Sequence, residues 1–343
     1  MRVLLDVNHA AHVHFIRALY FRLKAEGHSP LVVASDKPLV YKLLEEFEIE
    51  HVKLGSYGRS LFRKFLMLVV IDIKLLFFCL RYRPSLILGI VSIRGSHVGW
   101  LLRFPSIVFT DTEHAAMQIA LFKPFATAIY TPKWFQKQLG SKQVRYHGFH
   151  ELAYLHPETF RPSTEIFDLL EIDRKEPFFI VRFVAWDATH DLNESGFSQE
   201  GKSRLVSMLK KWGRVFISSE GPIDAALKEY EFSIPPSLMH DALFYSRLYI
   251  GEGATMAAEA ALLGTPSIYL NSLKLGYISV LEEEYGLLID AKNEQEAISK
   301  CQELLKTDDL NDTWKRRRNR LLEECTNTTD LIHEIVHSYE VSK

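Results

Sequence analysis

At 343 residues the chain is longer than one ordinary domain, so two domains are expected. Apolar residues make up 47% and charged residues 24%, the balance of a soluble globular protein, and a net charge of −2 argues against a general nucleic-acid binder. Three widely spaced cysteines, Cys79, Cys301 and Cys325, without a C-x-x-C pair exclude a zinc ribbon or a disulfide framework and fit a reducing cytosol.

In chain order, "RVLLDV" reads as a strand: Asp6 arrives too early for a signal peptide. "HVHFIRALYFRLKAEGH" reads as a helix ending at Gly27, "PLVVAS" as a strand, "KPLVYKLLEEF" as a helix and "EHVKL" as a short strand. A long apolar segment, 58–84, precedes the strands "SLILGI", "SIVFTD" and "TAIYTP". Strands alternating with helices imply βαβ units and a parallel sheet. "LAYLHPETFRPSTE" lacks both periodicities and carries two prolines, which marks a linker. The pattern then restarts with "FFIVRFV", a helix over "SQEGKSRLVSMLKKWG", and the strands "RVFISSE", "RLYIGE" and "PSIYLN". The expectation is an α/β protein of two Rossmann-like domains, at 1–152 and 177–312, with parallel sheets facing a central cleft. Residues 153–176 form the linker and 313–343 the C-terminal helices. Ligands of such sheets bind at the carboxyl ends of the strands.

The segment "GEGATMAAEAALLGTP", 251–266, sits at such an end. Gly251 and Gly253 allow close approach of a ligand to the backbone, and a helix starting near Thr255 offers its N–H groups to an anion such as a diphosphate. Glu259 lies four residues after Thr255, so it does not close a capping box. It sits among alanines, where a carboxylate is costly unless hydrogen-bonded. Two roles remain open for it: accepting from a vicinal diol, as in a ribose, or pairing with an arginine inside the fold. Gly264 and Pro266 end the helix and begin the next strand.

The pattern formed by Gly253, Ala254, Glu259, Gly264 and Pro266 resembles the donor-nucleotide signature of GT-B glycosyltransferases. It is especially similar to that of the peptidoglycan-lipid N-acetylglucosaminyltransferase family, and non-hydrolysing UDP-N-acetylglucosamine 2-epimerases carry a comparable motif. Together with "DVNHAAHVHF", "PSLILGI" followed by Gly95 and Gly99, "DTEHA" and "VRFVAWDATHD", it also resembles a family of glycosyltransferases inferred in archaea and bacteria and known mainly as a domain of unknown function. The resemblance spans most of 1–275. It implies a GT-B architecture, a nucleotide-sugar donor, UDP-linked in the first instance, and a glycan or lipid-linked acceptor, with no cofactor. It further implies that Glu259 holds the ribose hydroxyls and that Gly253, Ala254, Thr255 and Met256 line the diphosphate.

Around that frame, His12 takes the position of the family histidine and is the candidate base, with His14 the alternative and Asn8 and His9 beside them on the acceptor side. The first loop departs from the transferases in having Ala10 and Ala11 where they have glycines. The bland alternatives are a core-facing His14, with His9 and His12 capping the helix. Asp111 and Glu113 are candidates to orient the acceptor or act as base, next to His114. By residue type this trio suits a divalent ion, but the resemblance argues against a metal. Capping by Asp111 or Thr112 is the other option. Arg182 is placed to pair with the donor diphosphate, Glu220 to contact sugar or base, and His240 to approach the uracil. Asp187, His190 and Asp191 form a second polar cluster lining the cleft. The apolar stretch 58–84, flanked by Arg59, Arg63, Lys64, Arg81 and Arg83, is too interrupted to span a bilayer. It is either a buried core helix or a peripheral contact at the inner face of the membrane. "KRRRNR", 315–320, reads as a solvated helix face rather than a nucleic-acid site. The expected function is sugar transfer in the cytoplasm for polysaccharide or glycolipid synthesis. A UDP-sugar 2-epimerase and a non-catalytic nucleotide- or glycan-binding module are the alternatives.

Overall fold

The computed structural model describes residues 1–56, 61–184 and 196–341, with side chains described outside 61–65 and 341. The chain forms two compact units, Met1–Thr159 with Cys325–Lys343, and Phe160–Glu324. The first unit holds β1 (Arg2–Val7), β2 (Ser29–Ser35), β3 (His51–Gly55), β4 (Leu86–Ile90), β5 (Ser106–Phe109), β6 (Ala128–Pro132) and β7 (Gln143–Tyr146), in the order β3-β2-β1-β4-β5-β6-β7. The second holds β8 (Phe178–Phe183), β9 (Arg214–Ser219), β10 (Leu248–Gly251), β11 (Ser267–Leu270) and β12 (Leu288–Ala291), in the order β12-β11-β10-β8-β9. All pairings are parallel. Runs such as "LILGI" and "SIYL" are buried at every position, as a sheet covered on both faces requires.

Strand order reverses about β1 and β4 in the first sheet and about β8 and β10 in the second. A crevice opens at the carboxyl ends of such strands, where the outgoing helices diverge to opposite faces. Asn8 and His9 follow β1 and lead into the helix Ala10–Ala25 at the first of these points, and Arg182 is the next-to-last residue of β8 at the second.

Several expectations change. Two strands, β7 and β12, were not read from the sequence. Within the expected linker, Leu152–Leu155 is a short helix of the first unit and Glu165–Leu169 one of the second. The chain's last helix, Thr328–Val341, belongs to the first unit, while Leu310–Glu324 belongs to the second. The run "KRRRNR" is solvated at Lys315, Arg316, Asn319 and Arg320, while the half-buried Arg317 donates to the Gly286 carbonyl at 2.6 Å and Arg318 to the Leu262 carbonyl at 2.8 Å. Burial pulls the Arg318 pKa below its usual value.

The helix Leu61–Tyr82 is neither wholly buried nor wholly free. Ile71, Leu75 and Cys79 enter the core against Leu4, Val33 and Ile87. Leu66, Val69, Val70, Ile73, Phe77 and Leu80 are exposed, Phe77 at 67%. Their spacing of three and four puts them on one apolar face. Among the described residues no helix is long and apolar enough to cross a membrane. Arg59 lies outside the described residues, as do the side chains of Arg63 and Lys64.

Candidate functional site

The carboxyl edge of the first sheet is organised by an ion pair absent from the sequence reading. Asp6, at the end of β1, and Arg94, in the helix Ile93–Leu102, are each 1% exposed. Arg94 Nε donates to Asp6 Oδ1 at 2.7 Å, Ser92 Oγ donates to Asp6 Oδ2 at 2.5 Å, and the guanidinium also reaches Ser35 Oγ and the Val7 carbonyl. One side chain thereby joins the ends of β1 and β2 to the loop after β4. A buried charge of this kind needs such full pairing. Gly95 and Gly99 lie in the same helix as packing glycines. A Cβ at Gly99 would come 2.9 Å from the Phe104 carbonyl, so these glycines serve the helix–strand contact rather than a ligand loop.

On that platform the helix Ala10–Ala25 starts with His9 as its N-cap, the ring accepting from the Ala11 N–H at 3.3 Å. His9 therefore has the capping role, Asn8 is half-buried ahead of it, and His114 is exposed. His14 is buried against Phe47 and Tyr154, at ring-centroid distances of 5.5 and 5.4 Å. Its environment is that of a core side chain. His12 is different. It is 8% exposed, and its Nδ1 is buried with no hydrogen-bond partner among the described residues. Burial pushes its pKa well below the ordinary value; His9, His150 and Lys37 add to the effect and Asp111 opposes it. The imidazole is neutral at physiological pH, the form a general base requires.

The sequence reading missed His150. It follows β7 in the loop "YHGFH", and its Nδ1 lies 3.0 Å from Asp111 Oδ2. Thr112 Oγ1 donates to the other Asp111 oxygen at 2.9 Å. Burial favours the neutral Asp111 acid, but the charge and hydrogen bond of His150, with the bond from Thr112, hold its pKa down at about 2. With Nδ1 engaged by the carboxylate, Nε2 is the ring nitrogen left to meet a ligand. Nε2 is buried and without a partner among the described residues. Phe15, Phe109 and Tyr146 surround the ring. Glu113, 5% exposed, accepts from the Gln136 N–H through Oε1, and its Oε2 is again buried without a partner among the described residues. Thus His12, Glu113 and His150 each carry a buried atom with no hydrogen-bond partner among the described residues, while both oxygens of Asp111 are paired. A recurrent apolar–polar rhythm through "QVRYHGFH" was the available signal for β7 and the loop that carries His150.

The second unit builds its edge from satisfied carboxylates. Glu259 finds its partner in His240, whose Nε2 lies 3.2 Å from Glu259 Oε1, both residues being 6% exposed. One partner of Glu259 is thus a histidine, carried by the helix Met239–Tyr245. Glu252, fully buried and also unread, accepts from the N–H groups of Val184 at 2.9 Å and Phe197 at 2.6 Å. It fixes the chain on either side of 185–195, where Asp187, His190 and Asp191 lie outside the described residues. Arg182 and Glu220 face each other at 2.6 Å, and Arg182 also donates to Ser218 Oγ at 2.5 Å.

The helix Ala254–Leu263 begins at Gly253 with no side-chain hydrogen bond capping it. Its first N–H groups, on Ala254, Thr255 and Met256, have no partner within the helix. Thr255 is exposed and Met256 half-buried. Gly251 is needed for packing, since a Cβ there would come 2.7 Å from Arg182 Cβ, whereas at Gly253 the nearest atom is 3.7 Å away. Gly264 closes the helix at φ +85°, a conformation that favours glycine.

The family model described as "Protein of unknown function (DUF354)" matches residues 1–341. A relative, the uncharacterized protein MJ0665 of Methanocaldococcus jannaschii, is 24% identical over 282 residues, 78% of this chain and 80% of its own. Among solved structures, the UDP-GlcNAc 2-epimerase of Neisseria meningitidis bound to UDP-GlcNAc superposes with a TM-score of 0.71 at 11% identity, covering 98% of this chain and 100% of that one. The Streptomyces sp. SF2575 glycosyltransferase SsfS6, complexed with thymidine diphosphate, gives 0.63 at 15% identity, covering 97% and 99%. The UDP-GlcNAc 2-epimerase of Methanocaldococcus jannaschii gives 0.63 at 12%, covering 90% and 94%. The fold is that of GT-B enzymes, and the chain belongs to the DUF354 family.

Proposed function

We propose that this DUF354 protein is a metal-independent glycosyltransferase that moves a sugar from a nucleotide donor, a UDP-sugar in the first instance, to a glycan or lipid-linked acceptor. The observation that carries this reading is the uncapped start of the helix Ala254–Leu263 at the switch point of the second sheet, with Glu259 held by His240 one turn inside. Free amides at a helix start suit a diphosphate. A carboxylate already oriented by one partner suits a ribose diol as the second. Arg182, paired with Glu220, can exchange that partner for a phosphate oxygen. The solved relatives with UDP-GlcNAc and thymidine diphosphate bound support a nucleotide-sugar ligand.

The acceptor hydroxyl then needs a base, and the edge of the first sheet supplies candidates. Asp111 orients His150 and fixes its tautomer, while His12 stays neutral beside it. Either imidazole can take the proton as the hydroxyl attacks the anomeric carbon and the nucleoside diphosphate leaves. A second reading, 2-epimerisation of a UDP-sugar, is favoured by the epimerase superposition. Incubation with UDP-sugars in EDTA, with and without glycan acceptors, separates the two. Transfer releases UDP only with acceptor, and epimerisation isomerises the sugar nucleotide without one. Neither product from any UDP-sugar would leave a binding module.

A lipid-linked acceptor is reached at a bilayer, and the exposed face Leu66–Leu80 supports contact there. Apolar side chains on one face, with exposed Arg81 and Arg83 at its end, match an anionic lipid surface. The protein should sediment with anionic vesicles, less so at high salt. Phe77→Ser combined with Ile73→Ser should abolish sedimentation, and retention of the double variant would remove this face from the account.

A further inference from the structure

At the amino-terminal edge of the first sheet, away from the loops above, three elements of one unit meet. The C-terminal helix Thr328–Val341 carries "HEIVH", which sets His333 and His337 one turn apart on a single face. Glu26 follows the helix Ala10–Ala25, and His28 precedes β2. His333 Nε2 and His337 Nε2 are 3.0 Å apart, and Glu26 Oε2 lies 2.9 Å from the first and 3.1 Å from the second. Glu26, His28 and His337 also each offer one ligand atom within 4.8 Å of the others.

We propose that Glu26, His333 and His337 form a binding site for a divalent transition-metal ion, zinc first, with His28 or a water in the fourth position. The three donor atoms make a nearly equilateral triangle. An ion about 1 Å above its plane lies about 2 Å from all three, the length of zinc–imidazole and zinc–carboxylate bonds. Two imidazoles and a carboxylate are the donor set that zinc accepts. The site also has its outer layer. Glu340 Oε2 lies 3.0 Å from His337 Nδ1, the carboxylate–histidine pairing that orients a ligating ring through its other nitrogen.

Arg22 lies 3.6 Å from Glu26 Oε1, but its guanidinium is engaged by Asp330 at 2.5 Å, so its charge is offset. The Met1 amine is 2.8 Å from His28 Nδ1. His28 Nε2 therefore ligates only once that amine stops donating, which is why water is the alternative fourth ligand. Bound metal would clamp the returning C-terminal helix to the segment between the first helix and β2. Its role is in holding the unit together, at the end of the sheet opposite the reaction.

The test uses untagged full-length protein, stripped with EDTA, dialysed and titrated with Zn²⁺ by calorimetry. One equivalent should bind with micromolar or tighter affinity and raise the melting temperature. His333→Asn/His337→Asn should weaken binding by about 100-fold or more, and Glu340→Gln by about 10-fold. The melt of each variant without metal checks its fold, and the exposed Glu340 variant stands if the double variant does not fold. No stoichiometric binding overturns the proposal. So does binding that all folded variants keep undiminished, because the ion then sits elsewhere.

Discussion

The two sheet edges solve opposite problems with the same topology. In the first unit, His12 Nδ1, His150 Nε2 and Glu113 Oε2 are buried without hydrogen-bond partners among the described residues, around an aspartate held ionised. In the second, buried Glu252 and Glu259 have their partners already, and the open capacity is backbone at a helix start. Unpaired buried side-chain nitrogens cost stability and gain value only when a substrate proton arrives. Paired carboxylates and a fixed helix end cost little and wait for a polar ligand. In the proposed reaction the first edge takes the proton and the second holds the nucleotide.

That contrast is breakable. The largest effect expected is on turnover. His150→Ala or His12→Ala should cut the rate by about 10²–10⁴-fold while UDP affinity stays unchanged, and whichever loses more identifies the base. Near-normal rates in both variants would end the assignment of chemistry to the first edge. Next comes the platform beneath it. Arg94→Met strands Asp6 in the interior and should cost about 3–5 kcal/mol in denaturant unfolding. A loss within about 1 kcal/mol would mean the pair does not organise these loops.

Smaller, and opposite in cause, are two pH windows. His12 has a folded pKa below its unfolded value, so the unfolded chain binds a proton that the folded one refuses. Its contribution is present above about pH 6.5 and is lost as pH falls below that, by at most about 1.4 kcal/mol per unit. His12→Gln should flatten the stability profile there. Asp111, held at about 2, contributes above its unfolded value near 4 and loses that contribution as pH falls towards 2, so Asp111→Asn should flatten only this more acid range. Urea midpoints measured at steps of pH check both, and overlapping profiles for wild type and variants would contradict the shifts.

What could be read in advance follows from how local each signal is. The alternation of strands and helices was legible because strands such as "LILGI" are apolar on both faces. "QVRY" was not, since β7 lies at the sheet edge with three of its four residues partly exposed. Glu259 stood out because a carboxylate among alanines demands a partner. Which partner was hidden, since His240 is supplied by a different helix. Arg94 and Asp6, 88 residues apart, and Glu26 and His333, 307 apart, meet only through the topology. His14 looked like a member of the histidine cluster, but helical periodicity turns it two positions away from His12 and into the core.

In the proposed function the second edge holds a nucleoside diphosphate through Glu259. Calorimetric titration of UDP into wild type and Glu259→Ala tests it most directly. Wild type should bind, and the variant should lose about 1–3 kcal/mol, the loss of charge-assisted hydrogen bonds to the ribose, with its unfolding cooperative as in wild type. Equal UDP affinity in the two proteins, or no UDP binding by wild type, would contradict the account.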